Sequence, residues 1–311
     1  MSKYILLTGG TGFIGSNLLE ELLNQGKKVI LLKRSFSNTW RINEFFENDN
    51  LILMDIDKIS LEDTFSQYNI EGIFHLAAFS QRTHKTHSVS EMIDSNIRFP
   101  TNLLEHSINN NCKYFINTGS FFEYEFNETP IHENSKVKAF NLYGSTKIAF
   151  ENILKYYSEN YNLKCSSLKL FTPYGPKDDI NKIIPYLIIN SIKKNNITIK
   201  SPNKKLDFIH VKDITSAYIT VMNNIHKFNT YESYNIGTNI STSIKNVLNI
   251  IEGYLGKNEN VTFGNLEYDY VQCCNKKIKE ELNWNYKINL ENGIKLTIDF
   301  YKKSLENNYL K

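Results

Sequence analysis

Tyr143 and Lys147 stand four residues apart in Tyr143-Gly144-Ser145-Thr146-Lys147, a spacing that puts a phenol and an ammonium on one face of a helix. A phenol titrates near ~10, so exchanging a proton with a sugar hydroxyl at neutral pH means stabilising phenolate by about 4 kcal/mol. A nearby lysine cation and an oxidised nicotinamide supply such a field. Upstream, Asn117-Thr118-Gly119-Ser120-Phe121-Phe122-Glu123-Tyr124 closes a predicted strand. The Ser120 hydroxyl there can hydrogen-bond the same substrate oxygen that Tyr143 protonates. Taken singly, the Tyr/Lys pair is also what an exposed helix face shows, and Ser120 is also an ordinary strand-end residue.

Chemistry of this kind needs a hydride carrier, and Thr8-Gly9-Gly10-Thr11-Gly12-Phe13-Ile14-Gly15 lies between a first strand and a first helix, where a pyrophosphate would bind. Gly9 and Gly12 permit the tight turn and close backbone approach, Gly15 permits close helix–strand packing, and the helix start at Thr11, Phe13 and Ile14 offers N–H groups to phosphate. The second strand ends Leu32-Lys33-Arg34-Ser35, where an acidic residue would accept from a ribose 2′-hydroxyl. Two cations and a hydroxyl instead suit a 2′-phosphate. At about 1.5–3 kcal/mol per charge-assisted bond they favour NADP(H) over NAD(H) roughly tenfold or more. The alternative is that Lys33 and Arg34 are solvated strand-end charges. Asp55-Ile56, ending the third strand, is placed to meet adenine, or else Asp55 caps its own strand.

These residues presuppose an alternating β/α frame. Buried-type strands are predicted over Tyr4–Thr8, Val29–Lys33, Leu51–Asp55, Gly72–Leu76, Tyr114–Thr118 and Ser166–Leu170, with helices over Phe13–Gln25, Ser90–Asn110 and Tyr143–Glu159. Right-handed crossovers then give a doubly wound parallel sheet, α/β in class, with ligands at its carboxyl edge. After about residue 172 the alternation loosens into helices over Lys182–Lys194, Asp213–Asn224, Ile244–Tyr254 and Leu290–Leu305 with short strands at Ile197–Lys200 and Ser233–Ile236. The expected organisation is a dinucleotide-binding Rossmann domain over 1–171 and a smaller α/β substrate-binding lobe over 172–311, partly interleaved around 206–237. The stripe Trp284, Ile288, Leu290, Ile294, Ile298 and Phe300 is expected in that lobe's core.

Composition narrows the classes. The 311 residues carry 36 Lys+Arg against 33 Asp+Glu, a net charge of +3, too little for a dominant field toward nucleic acid or membrane. Cys112, Cys165, Cys273 and Cys274 have no metal-site or disulfide-framework spacing, which fits a reduced cytoplasm. No apolar run approaches membrane-spanning length, so a soluble cytoplasmic protein is expected. His84 and His87 lack a third ligand, and no metal is expected. Ser80 and Gln81, just past the fourth strand, either touch substrate or belong to a solvated loop.

The loop Thr8–Gly15, Phe74-His75-Leu76-Ala77-Ala78, Asn96, Ser120 with Tyr124, Tyr143 with Lys147, Phe171-Thr172-Pro173-Tyr174-Gly175-Pro176, Asp207-Phe208-Ile209-His210-Val211-Lys212-Asp213 and Asn235-Ile236-Gly237 together resemble the extended short-chain dehydrogenase/reductases, the nucleotide-sugar epimerase/dehydratase family. The resemblance spans nearly the whole chain in the family's order. It implies a Rossmann fold, a nucleotide-sugar substrate, and Ser120, Tyr143 and Lys147 as the catalytic triad. It further implies that Leu76, Ala77, Ala78, Thr118 and Pro173 line the dinucleotide, that Phe121, Phe122 and Thr172 line the sugar nucleotide, and that two copies pair through the helices containing Asn96 and Lys147. Two departures matter. Family dehydratases carry an Asp-Glu pair after the catalytic hydroxyl where this chain has Phe121-Phe122, so elimination lacks its acid and base. Leu206 stands where the family usually has a diphosphate-holding arginine, and the arginines are Arg34, Arg41, Arg82 and Arg98. Lys204, Lys205 or backbone N–H groups must serve instead.

The expected function is therefore an NADPH-dependent reductase of a 4-keto nucleotide-activated deoxysugar, in the synthesis of bacterial surface polysaccharides. The alternative is an NAD-dependent nucleotide-sugar epimerase using the same Ser, Tyr and Lys. A redox-sensing binding protein that keeps the fold without the chemistry has no need of all three.

Overall fold

The computed structural model describes residues 2–81, 83–266 and 270–306. In chain order the elements are β1 (Lys3–Thr8), α1 (Phe13–Asn24), β2 (Val29–Lys33), β3 (Leu51–Asp55), α2 (Leu61–Gln67), β4 (Asn69–His75), α3 (Val89–Ile93), α4 (Phe99–Asn109), β5 (Tyr114–Ser120), α5 (Leu142–Asn160), β6 (Lys164–Leu170) and β7 (Thr172–Tyr174). Then follow α6 (Ile183–Lys193), β8 (Ile197–Ile199), β9 (Lys205–His210), α7 (Val211–Asn224), β10 (Tyr231–Ile236), β11 (Ser241–Ser243), α8 (Ile244–Leu255), β12 (Val261–Phe263), α9 (Lys276–Leu282) and α10 (Leu290–Glu306).

Contacts divide the chain into two compact units, the first 1–125, 134–170 and 215–234, the second 126–133, 171–214 and 235–311. The main sheet runs β10-β6-β5-β4-β1-β2-β3, and β3, β2, β1, β4, β5 and β6 pair in parallel along it. This is the doubly wound Rossmann arrangement. Its central strands are apolar on both faces: Leu6, Ile30, Ile73 and Phe115 are fully buried, each worth about 1.5–3 kcal/mol. Helix α1 turns Leu18, Leu19, Leu22 and Leu23 into the buried side, as three- and four-residue spacing requires.

The predicted helix Ser90–Asn110 is interrupted. A π-helical turn over Asp94–Arg98 separates α3 from α4. In the second unit β11-β9-β7 form a small sheet and α6, α8 and α10 enclose a core of Leu187, Ile188, Val247, Ile251, Ile294 and Ile298. Leu290 and Phe300 pack on it, Trp284 is buried and Ile288 half-buried. The carboxylates of the Asp207–Asp213 segment fasten loops here. Asp207 accepts from the Thr238 N–H, the Thr238 hydroxyl and the Cys273 N–H at 2.8, 2.7 and 3.0 Å, and Asp213 accepts from the Lys287 and Ile288 N–H groups. No helix among the described residues is long and apolar enough to cross a membrane.

Candidate active site

The glycine loop joins β1 to α1 with almost no free space. Gly9 has φ +71°, and a β-carbon there would sit 2.5 Å from the backbone of Leu76 and Ala77; at Gly15 it would sit 2.2 Å from the Gly9 carbonyl oxygen. The Thr8 hydroxyl accepts the Ala77 N–H at 3.2 Å and pairs with His75 Nδ1 at 2.8 Å, fixing Leu76-Ala77 beside the loop, with Ala78 exposed just beyond. Gly12, the N-cap of α1, provides no capping side chain to the first turn, so the helix start past Thr11, at Phe13 and Ile14, keeps the character of a phosphate site. Side chains at Gly9 or Gly15 would strike neighbouring backbone, so the loop stays bare and close-packed, and the free N–H groups of the helix start suit a pyrophosphate.

At the end of β2 the expected cations already have partners. Lys33 Nζ lies 3.5 Å from Asp55 Oδ2, the Ser35 hydroxyl donates to the same oxygen at 2.8 Å, and the Ser35 N–H donates to Asp57. Burial works against the Asp55 charge, but Ser35, the Asp57 N–H and Lys33 outweigh it and hold the carboxyl below its usual range. The Arg34 guanidinium lies over the Phe36 ring at 4.4 Å and 3.6 Å from Glu91. Ile56 donates its N–H to the Lys33 carbonyl. Lys33 and Ser35 are thus engaged with Asp55, which ties the ends of β2 and β3 together.

The catalytic candidates converge on the carboxyl end of β5. That strand runs on to Ser120, two residues further than its sequence suggested, and then enters a 3-10 turn over Phe121–Glu123. Asn141 caps α5 by accepting the Gly144 N–H at 2.8 Å, and a β-carbon at Gly144 would lie 2.4 Å from the Phe122 carbonyl oxygen, so the first turn of α5 rests directly on the turn after Ser120. Tyr143 is half-buried with its ring edge-on to Phe122 at 6.3 Å. Lys147, 3% exposed, donates to the Thr118 carbonyl at 2.9 Å, and its ammonium lies 5.9 Å from the Tyr143 ring centre. Burial drives the Lys147 ammonium down to about 8, opposed by Glu123. The Thr118 hydroxyl donates to the His75 carbonyl and meets the Tyr218 hydroxyl at 2.5 Å.

Phe121 and Phe122 stack at 4.3 Å, with Phe140 beside Phe122 at 5.3 Å; aromatic rings follow the serine. Behind them α5 is anchored by Asn96, whose amide bonds the Phe79 backbone N–H and carbonyl and the Thr146 hydroxyl. Asn96 lies within the π turn, a feature frequent at functional sites.

The first unit therefore brings together Ser120, Tyr143, Lys147 and Thr118, and separately the glycine loop with Leu76 and Ala77. Ser80 and Gln81 are exposed in the segment after β4, and Arg82 lies outside the described residues. Thr172, Pro173 and Lys205 belong to the second unit: Thr172 and Pro173 open β7, and Lys205 is exposed at the start of β9 with its ammonium 5.6 Å from the Tyr270 ring centre. A cavity lined by Lys3, Lys28, Glu71, Lys113 and Lys164 opens at the opposite, amino-terminal ends of the strands and holds none of these groups. Sequence reasoning missed Glu123. The Glu123 carboxylate accepts the Ser120 N–H at 2.6 Å, and the Ser120-x-x-Glu123 spacing is a capping-box signature that would have revealed it.

Residues 5–237 match the NAD dependent epimerase/dehydratase family, and the chain belongs to it. It is 31% identical to the CDP-abequose synthase of Salmonella muenchen, over 95% of this chain and 97% of that protein. It is 29% identical to the UDP-glucuronate 4-epimerase of Thermodesulfobacterium geofontis, over 97% of both. Among solved structures it resembles the UDP-glucose 4-epimerase of Thermotoga maritima, determined with UDP-glucose, at a TM-score of 0.88 and 26% identity, covering 97% of this chain and 99% of that one. Family membership makes the chain one of a family of nicotinamide-dinucleotide-dependent enzymes.

Proposed function

We propose that the protein is an NADPH-dependent reductase of a 4-keto nucleotide-activated deoxysugar, of the kind that supplies surface-polysaccharide synthesis. The observation that carries the reading is the seating of the Tyr143–Lys147 turn of α5 on the Ser120 turn, with stacked Phe121 and Phe122 next to the serine. Dehydration needs an acid and a base beside the sugar; aromatic rings offer neither. The likeness to CDP-abequose synthases points the same way.

In this reading the glycine loop with Thr11, Phe13 and Ile14 holds the pyrophosphate, and Arg34, with Lys33 and Ser35, receives a 2′-phosphate. Leu76, Ala77, Ala78, Thr118 and Pro173 line the rest of the dinucleotide, and Asp55 and Ile56 flank its adenine. Bound there, the reduced nicotinamide supplies the hydride. Tyr143 gives its phenolic proton to the carbonyl oxygen as that oxygen gains electrons, and the Lys147 ammonium stabilises the phenolate left behind. The Ser120 hydroxyl holds the oxygen in line. Ser80, Gln81, Phe121, Phe122 and Thr172 contact the sugar nucleotide, and Lys205 stands in for the missing arginine at the diphosphate. Two copies pair through the helical segment containing Asn96 and through α5, which contains Lys147.

A second reading, an NAD-dependent epimerase, draws on a specific observation. Lys33 faces Asp55 and Arg34 faces Glu91, so the cations the sequence offers to a 2′-phosphate are offset by carboxylates. The two readings are told apart by isothermal titration with NADPH and NADH on protein first checked for retained nicotinamide. The reductase releases its dinucleotide on purification and binds NADPH more tightly; retained nicotinamide or preferred NADH turns the assignment to the epimerase.

A further inference from the structure

We infer that the amino-terminal end of the main sheet carries a second anion site, at the other end of β1 from the glycine loop, that takes an oligophosphate: an inorganic phosphate chain or the triphosphate of a nucleotide. A cavity of about 540 Å³ opens there, within the size range of small-molecule sites, and all of its lining residues belong to the first unit. Lys3, Lys27, Lys28, Lys113 and Lys164 line it against one carboxylate, Glu71, a local excess of four positive charges on a chain whose total is +3. Strand pairing creates the row. Lys164 and Lys3 open β6 and β1, Lys113 and Lys28 immediately precede β5 and β2, and Glu71 lies early in β4; those five strands are neighbours in the order β6-β5-β4-β1-β2. The Lys164 N–H donates to the Lys113 carbonyl, the Lys113 N–H to the Glu71 carbonyl and the Ile5 N–H to the Lys28 carbonyl, at 3.1, 2.7 and 2.9 Å. Neighbouring strands lie about 4.8 Å apart, so cations recur across the cavity at strand spacing.

Glu71 organises part of the row without neutralising it. Its carboxylate lies 3.0 Å from the Lys113 ammonium and 3.5 Å from that of Lys3. Burial works against its charge, but Lys113 and Lys3 outweigh it and hold the carboxyl below its usual range. One of those two ammonium charges stays uncompensated. Lys28 and Lys164 meet neutral groups, the Ser2 hydroxyl and the Asn229 carbonyl, at 3.0 and 2.8 Å, and Lys27 is exposed just before β2. The row is a feature of the strands and not of the helix ends: the last turns of α1 and α5, which lead into β2 and β6, carry no basic residue. Beside the cations the cavity is lined by Ile5, Tyr114, Met222 and Ile225, all buried, and the Tyr114 ring fills the space left at Gly72, where a β-carbon would sit 2.2 Å from it. Lysines bind phosphate oxygens as point charges, and an apolar wall beside them suits an organic phosphate as well as an inorganic one. Cations in a row match negative charges that are themselves in a row, which a single phosphate does not provide.

The test is isothermal titration of the full chain with sodium tripolyphosphate. The wild type is expected to bind it, and Lys27→Ala/Lys28→Ala/Lys164→Ala, which spares the Glu71 pairs, to bind it about tenfold or more weakly. Lys193→Ala/Lys257→Ala/Lys276→Ala removes the same charge from exposed positions of the second unit and is expected to change the affinity less than about threefold. Glu71→Gln takes away the lining carboxylate and is expected to tighten binding about threefold, an arm of opposite sign that decides the matter even if the first triple variant fails to fold. Adenosine triphosphate, titrated in parallel, distinguishes the sources: the binding lost in that triple variant is tighter than for tripolyphosphate if the base reaches Tyr114 and Met222, and no tighter if the phosphate chain alone is held. No binding of tripolyphosphate up to about 5 mM, equal weakening by the two triple variants, an affinity unmoved by the first of them, or a Glu71→Gln protein that binds no more tightly overturns the inference. None of these arms measures turnover, so the inference stands apart from the reductase reading.

Discussion

Replacing Tyr143 with Phe keeps a ring against Phe122 and removes the transferable proton. The expected result in a stopped-flow assay is a kcat lower by about 10²–10⁴-fold with NADPH affinity nearly unchanged. Arg34→Ala tests cofactor choice at the same scale: under the reductase reading the NADPH dissociation constant rises about tenfold in calorimetry and that for NADH hardly moves. His75 makes a prediction about pH. Burial first, then Lys147, pushes its imidazole far down, so the folded protein refuses a proton that the unfolded chain takes below about 6.5. Its share of stability is present above that pH and is lost as pH falls. The drop in melting temperature between about pH 6.5 and 5 should thus be smaller in His75→Gln than in the wild type. Ser120, Tyr143 and Lys147 were legible because each sits at a strand end or at helical spacing. The partners of Lys33 were not, because Asp55 reaches it only through strand pairing, and the Lys169 ammonium meets Glu123 and Glu151 only in three dimensions.

At the scale of elements, the glycine loop and the strands were the most readable parts, since a strand with the apolar run Ile5-Leu6-Leu7 followed by Gly-x-x-Gly-x-x-Gly admits few structures. A methyl group at Gly15 must displace the Gly9 carbonyl. Gly15→Ala should cost about 1–3 kcal/mol in urea unfolding and weaken dinucleotide binding in parallel. The π turn at Asn96 was not readable, because the apolar spacing runs on through it and the Asn96 bonds to Phe79 and Thr146 join segments distant in sequence. Short α2 and α9 escaped for want of length, although Ser60-x-x-Asp63 marks the start of α2, where the Ser60 hydroxyl accepts the Asp63 N–H at 3.0 Å. Ser60→Ala should lower stability by about 1 kcal/mol, measured by denaturant melts.

For the whole molecule, alternation of apolar strands and amphipathic helices made the sheet legible, and loss of that alternation near residue 172 flagged a change of architecture. The return of 215–234 to the first unit and the excursion of 126–133 to the second rest on pairings between distant segments that no local pattern records. The reaction is the point on which Ser120, Tyr143 and Lys147 must agree. The direct measurement is NADPH oxidation at 340 nm by the purified protein with 4-keto nucleotide sugars bearing CDP, GDP, UDP or dTDP. The account predicts stoichiometric NADPH consumption with one of them and an enzyme free of nicotinamide beforehand. Interconversion of 4-epimers by protein that retains its dinucleotide, with no net NADPH oxidation, would contradict it.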